Sequence, residues 1–170
     1  MTAPRLYAAD AVYCIGFWNN IALVDAVGEI DAPRMRQLGL AYKELLAHYP
    51  HMAVLCVLRP GAPMSSREAR AESQHLMSSF GDALVRVAFV AEEGGVFAKM
   101  LGTVIRGFNV ITRSAKLTVD TDLDEAIHGL APLIISNIPR DRVGEELKAA
   151  LASLHMQWKS RAIAAAISSG

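Results

Sequence analysis

The sequence lacks an excess of charge of either sign, since 17 lysines and arginines balance 17 aspartates and glutamates over 170 residues. Nucleic-acid-binding proteins usually carry a basic excess, so this balance argues against a nucleic-acid partner. No run of about 18 apolar residues is present, and we therefore expect no membrane-spanning helix. The first ten residues contain one arginine and no apolar block, which is unlike a signal peptide. These absences predict a cytoplasmic protein.

Cysteine is also scarce. Cys14 and Cys56 are the two in the chain, and both lie inside apolar runs. A disulfide or a shared metal is the weaker alternative, because the sequence has no CxxC motif and no histidine cluster. We predict two buried, reduced thiols and no metal site. G-x-S-x-G and Walker motifs are missing as well, so no catalytic residue and no cofactor is assigned.

Apolar residues, in contrast, make up 52% of the chain, enough for one globular domain with a substantial core. Two apolar stretches joined by Asn19-Asn20 predict a hairpin, because asparagine tolerates the backbone of a tight turn. Two nearly continuous apolar runs predict central strands that are buried on both faces. The predicted strands are 11–17, 21–27, Met52–Leu58, Leu84–Ala91 and 117–119.

Helical periodicity and capping residues alternate with these strands. Asp31 precedes a helix with Pro33 in its first turn, and Ser65 and Glu68 form an S-x-x-E capping box before another. Further helices are expected over Gly95–Thr112, after Asp122, and from 143 to about 166. The order β-β-α-β-α-β-α-β-α-α predicts an α/β fold with a mixed, mostly parallel sheet of four to five strands. Helices flank this sheet, and a long helix is added at the C-terminus.

Three segments in this order resemble the STAS family, whose fold serves sulphate transporters and anti-sigma-factor antagonists. They are AVGEIDA at 26–32, the buried strand at 53–58 that leads into a serine-started helix, and TVDTDLDEAI at 118–127. The chain is most similar to STAS-like (SpoIIAA-like) bacterial proteins of unknown function. The resemblance implies a STAS-like domain over 1–135, with a linker and an amphipathic helix over 136–170.

Anti-sigma-factor antagonists of this family are phosphorylated on a serine that lies beside an aspartate. The matching loop here reads RPGAPMSSRE, where Ser65 and Ser66 occupy the serine position and the aspartate is missing. We therefore predict that Ser65 caps its helix and is not phosphorylated.

Polar residues cluster where the predicted strands end, which is where ligands bind in open α/β sheets. This crevice is the candidate ligand or regulatory site, and an acid/base centre is an alternative use of its carboxylates and arginine. The residues are Glu29, Arg59, Ser65, Ser66, Glu92 and Asp120.

The helix over Gly95–Thr112 is apolar around most of its circumference, so it needs burial on more than one side. The C-terminal helix could cover it within the chain, a second subunit could cover it, or a hydrophobic ligand could bind beneath it. We predict a non-enzymatic interaction or regulatory module that forms a homodimer and contacts a protein partner. The alternatives are a lipid or small-ligand carrier that uses the Phe97, Leu101 and Phe108 face, and an enzyme at the strand-end crevice. The predicted interface comprises Phe97, Leu101, Val104, Phe108, Leu147, Leu151, Leu154 and Trp158.

Overall fold

A computed structural model describes residues 3–92, 95–112, 116–120 and 122–168. Its centre is a six-stranded sheet in which the strands lie side by side in chain order. The strands are β1 (Arg5–Ala9), β2 (Tyr13–Trp18), β3 (Ile21–Ala26), β4 (Met52–Leu58), β5 (Leu84–Ala91) and β6 (Leu117–Asp120).

The first three strands are antiparallel, and the strands from β3 to β6 are parallel. Asn19 takes a φ of 51° in the turn between β2 and β3, as the predicted hairpin requires. β4 and β5 are internal to the sheet, which confirms the prediction from their continuous apolar runs. The prediction of four to five strands was short by one, because β1 is an edge strand with a mixed burial pattern and a bulge opposite β2.

Three helices cover one face of the sheet, and each connects two successive parallel strands. They are α1 (Ala32–Leu46), α2 (Arg67–Phe80) and α3 (Gly95–Thr112). Their buried side chains share one core with alternate residues of the strands, including Leu38, Tyr42, Leu101, Ile105 and Phe108. This layer matches the predicted helices in order and type.

Two further helices cover the opposite face, α4 (Leu123–Leu130) and α5 (Val143–Ser168). The buried stripe of α5 packs on the strands in a second core that it shares with α4. Since α3 and α5 lie on opposite faces, the alternative that they bury each other is wrong.

The predicted interface residues also need correction, because most of them lie inside the chain's own cores. Phe97 and Val104 are half-buried, and the other six are buried: Leu101, Phe108, Leu147, Leu151, Leu154 and Trp158. These six cannot meet a second subunit without opening a core. The apolar side chains that α3 does expose are Val96, Met100 and Val110, at 73%, 51% and 76%.

No helix in the described ranges is long and apolar enough to cross a membrane.

Candidate functional site

A cluster of four charged or titratable side chains lies at the carboxyl edge of the parallel strands. Asp25 is at its centre, with both carboxylate oxygens accepting hydrogen bonds at 2.8 Å from Nε and Nη2 of Arg59. Nη1 of Arg59 donates to Glu92 at 2.6 Å. Nδ1 of His155 lies 2.7 Å from Oδ2 of Asp25. We call these four residues the edge cluster.

Strand geometry and helix periodicity bring the edge cluster together. Asp25 follows Leu23 on β3 at the spacing that points both side chains to one face, the face covered by α5. Arg59 and Glu92 come directly after the parallel strands β4 and β5, so they emerge at the same edge. His155 lies on α5 beside the buried Leu154 and completes the group from above the sheet.

The fully buried carboxylate of Asp25 is neutralised by its partners, as a buried charge requires. The hydrogen bond to Asp25 raises the pKa of the Arg59 guanidinium above its ordinary value, although burial acts in the opposite direction. Glu92 raises it further. Arg59 therefore remains a permanent cation between two carboxylates.

An aspartate that holds one nitrogen of a histidine can orient the other nitrogen for proton transfer. Within the described part of the chain, no serine, threonine or cysteine side chain is seen to bond His155, so the cluster has no evident nucleophile. Its hydrogen bonds join α5 to the carboxyl ends of three strands.

The predicted crevice residues fall into separate groups. Arg59 and Glu92 do meet, in the edge cluster. Glu29 accepts a hydrogen bond at 2.8 Å from the backbone N–H of Ser66. Asp120 accepts one from the hydroxyl of Thr118 on its own strand.

The capping prediction for Ser65 is wrong by one residue. Ser66 is the N-cap of α2, and its hydroxyl accepts from the backbone N–H of Ala69 at 3.2 Å. The carboxylate that satisfies the N–H of the cap comes from Glu29, 37 positions earlier in the chain, and not from Glu68. Ser65 instead lines a cavity, and its carbonyl accepts from Nη1 of Arg70 at 2.6 Å.

Sequence reasoning missed Asp25 and His155, although a signal for each was present. Asp25 is the single charged residue in a predicted buried strand, where a charge must have a partner. His155 follows Leu154 and lies four positions after Leu151, on the apolar stripe of its helix.

A largely apolar cavity of about 300 Å³ lies between α2 and α3, above β5 and β6. A smaller cavity of about 60 Å³ adjoins it and shares Met35, Met64, Ser65, Phe89 and Leu101 with it. The larger cavity is lined by Met35, Met64, Ser65, Ala69, Arg70, Ser73, Gln74, Phe89, Leu101, Thr103, Val104, Ile105, Gly107, Phe108 and Leu117.

Both cysteines are free, and their burial confirms the prediction that they lie in the core. Cys14 and Cys56 lie in different cores, on opposite faces of the sheet. Burial raises the pKa of each thiol to about 12. Cys56 lines the smaller cavity, but a thiol that stays protonated at neutral pH is a poor nucleophile.

The described residues contain no group of three or more histidine, cysteine, aspartate or glutamate side chains placed to hold a metal ion.

Comparison with known proteins identifies the fold. No protein-family model matches the sequence, and no curated protein matches it. Among solved structures, the chain is similar to an uncharacterized protein from the DUF3478 family with a SpoIIAA-like fold, from Shewanella loihica PV-4. The TM-score is 0.50 and the identity is 17%, over 76% of this chain and 97% of the other. This chain therefore has a SpoIIAA-like α/β fold, which confirms the STAS-like fold inferred from the sequence.

Proposed function

We propose that this chain is a non-enzymatic SpoIIAA-like module that binds an apolar or amphipathic small molecule in the cavity beneath α3. The observation that carries the proposal is the cavity of about 300 Å³ between α2 and α3. Small-molecule sites are concave and mostly apolar, with a few polar groups, and begin at about this volume. A cytoplasmic location is part of the proposal and is supported by the two free thiols.

The lining suits such a ligand. The inward side chains of α3, among them Leu101, Ile105 and Phe108, form the apolar roof of the cavity. Phe89 of β5 and Leu117 of β6 also line it, while α2 contributes polar side chains. The cavity is partly open to solvent, and its volume of about 300 Å³ equals that of about ten waters at about 30 Å³ each.

Filling the cavity tests the proposal. Val104→Trp places an indole on the cavity side of α3, where Val104 is part of the lining. Decanoic acid and 1-decanol serve as probes, and their binding is measured by isothermal titration calorimetry. We expect binding to the wild-type chain and a loss of at least ten-fold in affinity in the filled variant.

The control is Lys99→Trp, which places the same indole at an exposed position of the same helix that neither lines the cavity nor belongs to the exposed apolar side chains of α3. This variant should bind the probes as the wild type does. The proposal is overturned if neither probe binds the wild-type chain, or if both tryptophan variants bind equally well.

A second candidate function is contact with a partner through the outer face of α3. Val96 and Met100 are exposed one turn apart there, Val110 is exposed further along the same helix, and exposed apolar patches often mark an interaction site. We propose a second copy of the chain as this partner, because a two-fold dimer is the commonest assembly of identical subunits. A regulatory role would follow if ligand binding under α3 changed this contact.

The edge cluster supports a structural role better than a catalytic one. Arg59 forms ion pairs with both Asp25 and Glu92, and His155 is bonded to the same aspartate. We therefore propose no reaction at this edge of the sheet.

A further inference from the structure

The cavity beneath α3 has a charge as well as an apolar surface. Arg70 is the one charged residue among the described residues that line it, and no described lining residue is acidic. The polar side chains of Ser73 and Gln74 lie on the same helix as Arg70, and Ser65 lies just before that helix. The lining is therefore polar and basic mainly on the α2 side, and it is otherwise apolar except for Thr103 of α3.

Arg70 is not among the described arginines that form ion pairs with carboxylates. Five others form ion pairs with carboxylates: Arg5, Arg34, Arg36, Arg59 and Arg142. The described hydrogen bond of the Arg70 side chain runs from Nη1 to the backbone carbonyl of Ser65. A guanidinium has several N–H donors in a planar fork that matches a carboxylate, so donors remain for a ligand.

Arg70 supplies the positive charge near the start of α2. It is the fourth residue of the helix, and the helix N-terminus itself is already met by the carboxylates of Glu29 and Glu68. The side chain of Arg70 is exposed to solvent, while the apolar lining of the cavity extends to the buried Leu101 and Phe108. An acidic head at Arg70 would therefore stay near water while the attached chain entered the cavity.

We propose that the ligand is a single-chain amphiphile with a carboxylate head, a medium-chain fatty acid, and that Arg70 binds the head. A volume of about 300 Å³ holds a chain of about ten heavy atoms, if each takes about the 30 Å³ of a water molecule. This inference rests on the proposed function and adds the class of ligand and the residue that recognises it.

The test compares decanoate with 1-decanol, which has the same chain and an uncharged head, by calorimetry at low ionic strength. The wild-type chain should bind decanoate at least ten-fold tighter, because a charge-assisted hydrogen bond contributes about that much. Arg70→Gln should abolish the preference by weakening decanoate about ten-fold, with decanol unchanged. Added salt should weaken the binding of decanoate alone.

Arg67→Gln is the matched control, since Arg67 is an exposed arginine one turn earlier on the same helix and is not part of the described lining. It should leave both affinities unchanged. If decanol binds as tightly as decanoate, or if Arg70→Gln keeps the preference, the carboxylate inference is wrong while the proposed function stands. If neither probe binds, both fail.

Discussion

Asp25 shows how one buried residue organises its surroundings. Its carboxylate is fully buried, and it accepts hydrogen bonds from Arg59 and faces His155. A charge taken out of water is tolerated only when partners replace the lost hydration. Removing the aspartate should destabilise the fold, because Arg59 is then left without its main counter-charge.

Asp25→Ala should therefore lower the free energy of unfolding by about 3–5 kcal/mol, the usual cost of breaking a buried ion pair from one side. Urea denaturation followed by circular dichroism measures this loss. The control is Glu92→Gln, which removes the charge of the other carboxylate bound to Arg59; this group is exposed, so the change should lower the free energy of unfolding by about 1 kcal/mol or less. Equal losses in the two variants would show that Asp25 is not the organising charge.

The cap of α2 offers a second residue-scale prediction. Ser66→Ala should destabilise the protein by about 1 kcal/mol, because the N–H of Ala69 loses its acceptor. Ser65→Ala should change stability by about 0.5 kcal/mol or less, since that hydroxyl caps nothing. Thermal denaturation of the two variants distinguishes them, and the reverse order would contradict the observed helix start.

Asp10 gives the protein a pH dependence. Burial acts to raise its pKa, but hydrogen bonds from the backbone N–H of Val12, the Arg34 side chain and the N–H of Tyr13 outweigh this and lower it below 3.8. A lowered folded-state pKa adds stability above the unfolded-state value, and this stability is lost as the pH falls through the folded-state value.

The difference in unfolding free energy between the wild type and Asp10→Asn should therefore be constant above about pH 5 and should shrink as the pH falls through 3.8 and below. Denaturation curves at a series of pH values give this difference. A difference that grows on acidification would show that the pKa of Asp10 is raised and not lowered.

At the scale of elements, α5 is an integral layer of the fold. It covers the face of the sheet that the crossover helices leave open, and its Leu147, Leu154 and Trp158 are buried there. Close approach of the helix to β2 depends on Gly16. A Cβ at that position would lie 2.5 Å from Cδ1 of Leu154 and 2.9 Å from the carbonyl oxygen of Arg5.

Gly16→Ala should destabilise the fold by about 1–3 kcal/mol, because the backbone of β1 cannot yield as a flexible side chain can. Chemical denaturation measures the effect. Gly107→Ala is the matched control: a Cβ there meets nothing within 4 Å, and alanine in a helix should stabilise by about 0.5–1 kcal/mol. Loss of stability in the control alone would contradict the packing described for both helices.

At the scale of the whole molecule, helices cover both faces of the sheet, and the outer surface of α3 exposes the apolar side chains of Val96, Met100 and Val110. If a second copy covers that surface, size-exclusion chromatography with light scattering should give twice the mass of the chain. Met100→Glu should then produce a monomer, because Met100 is exposed in the single chain and would face the other subunit.

Leu154→Glu is the contrasting variant. Leu154 is a fully buried residue of α5, so this change should unfold the chain and not dissociate a dimer. A wild-type chain that stays monomeric at high micromolar concentration would overturn the dimer proposal and leave the ligand proposal untouched.

Local patterns in the sequence determined most of the elements. Continuous apolar runs at Met52–Leu58 and Leu84–Ala91 identified the central strands, and Asp31 and Asp122 identified two helix starts, because periodicity and capping depend on neighbours a few positions away. The amphipathic pattern of α5 and the apolar character of α3 were also readable, as was the α/β class.

Only the tertiary structure decided which residues meet. Asp25 and His155 are 130 positions apart, and Glu29 reaches the cap of α2 across 37. The tertiary structure also decided on which face of the sheet α5 packs. That choice determines which apolar residues are buried in the core and which are exposed. These long-range contacts depend on how the apolar faces of all the helices are buried against one sheet. No short stretch of sequence contains that information.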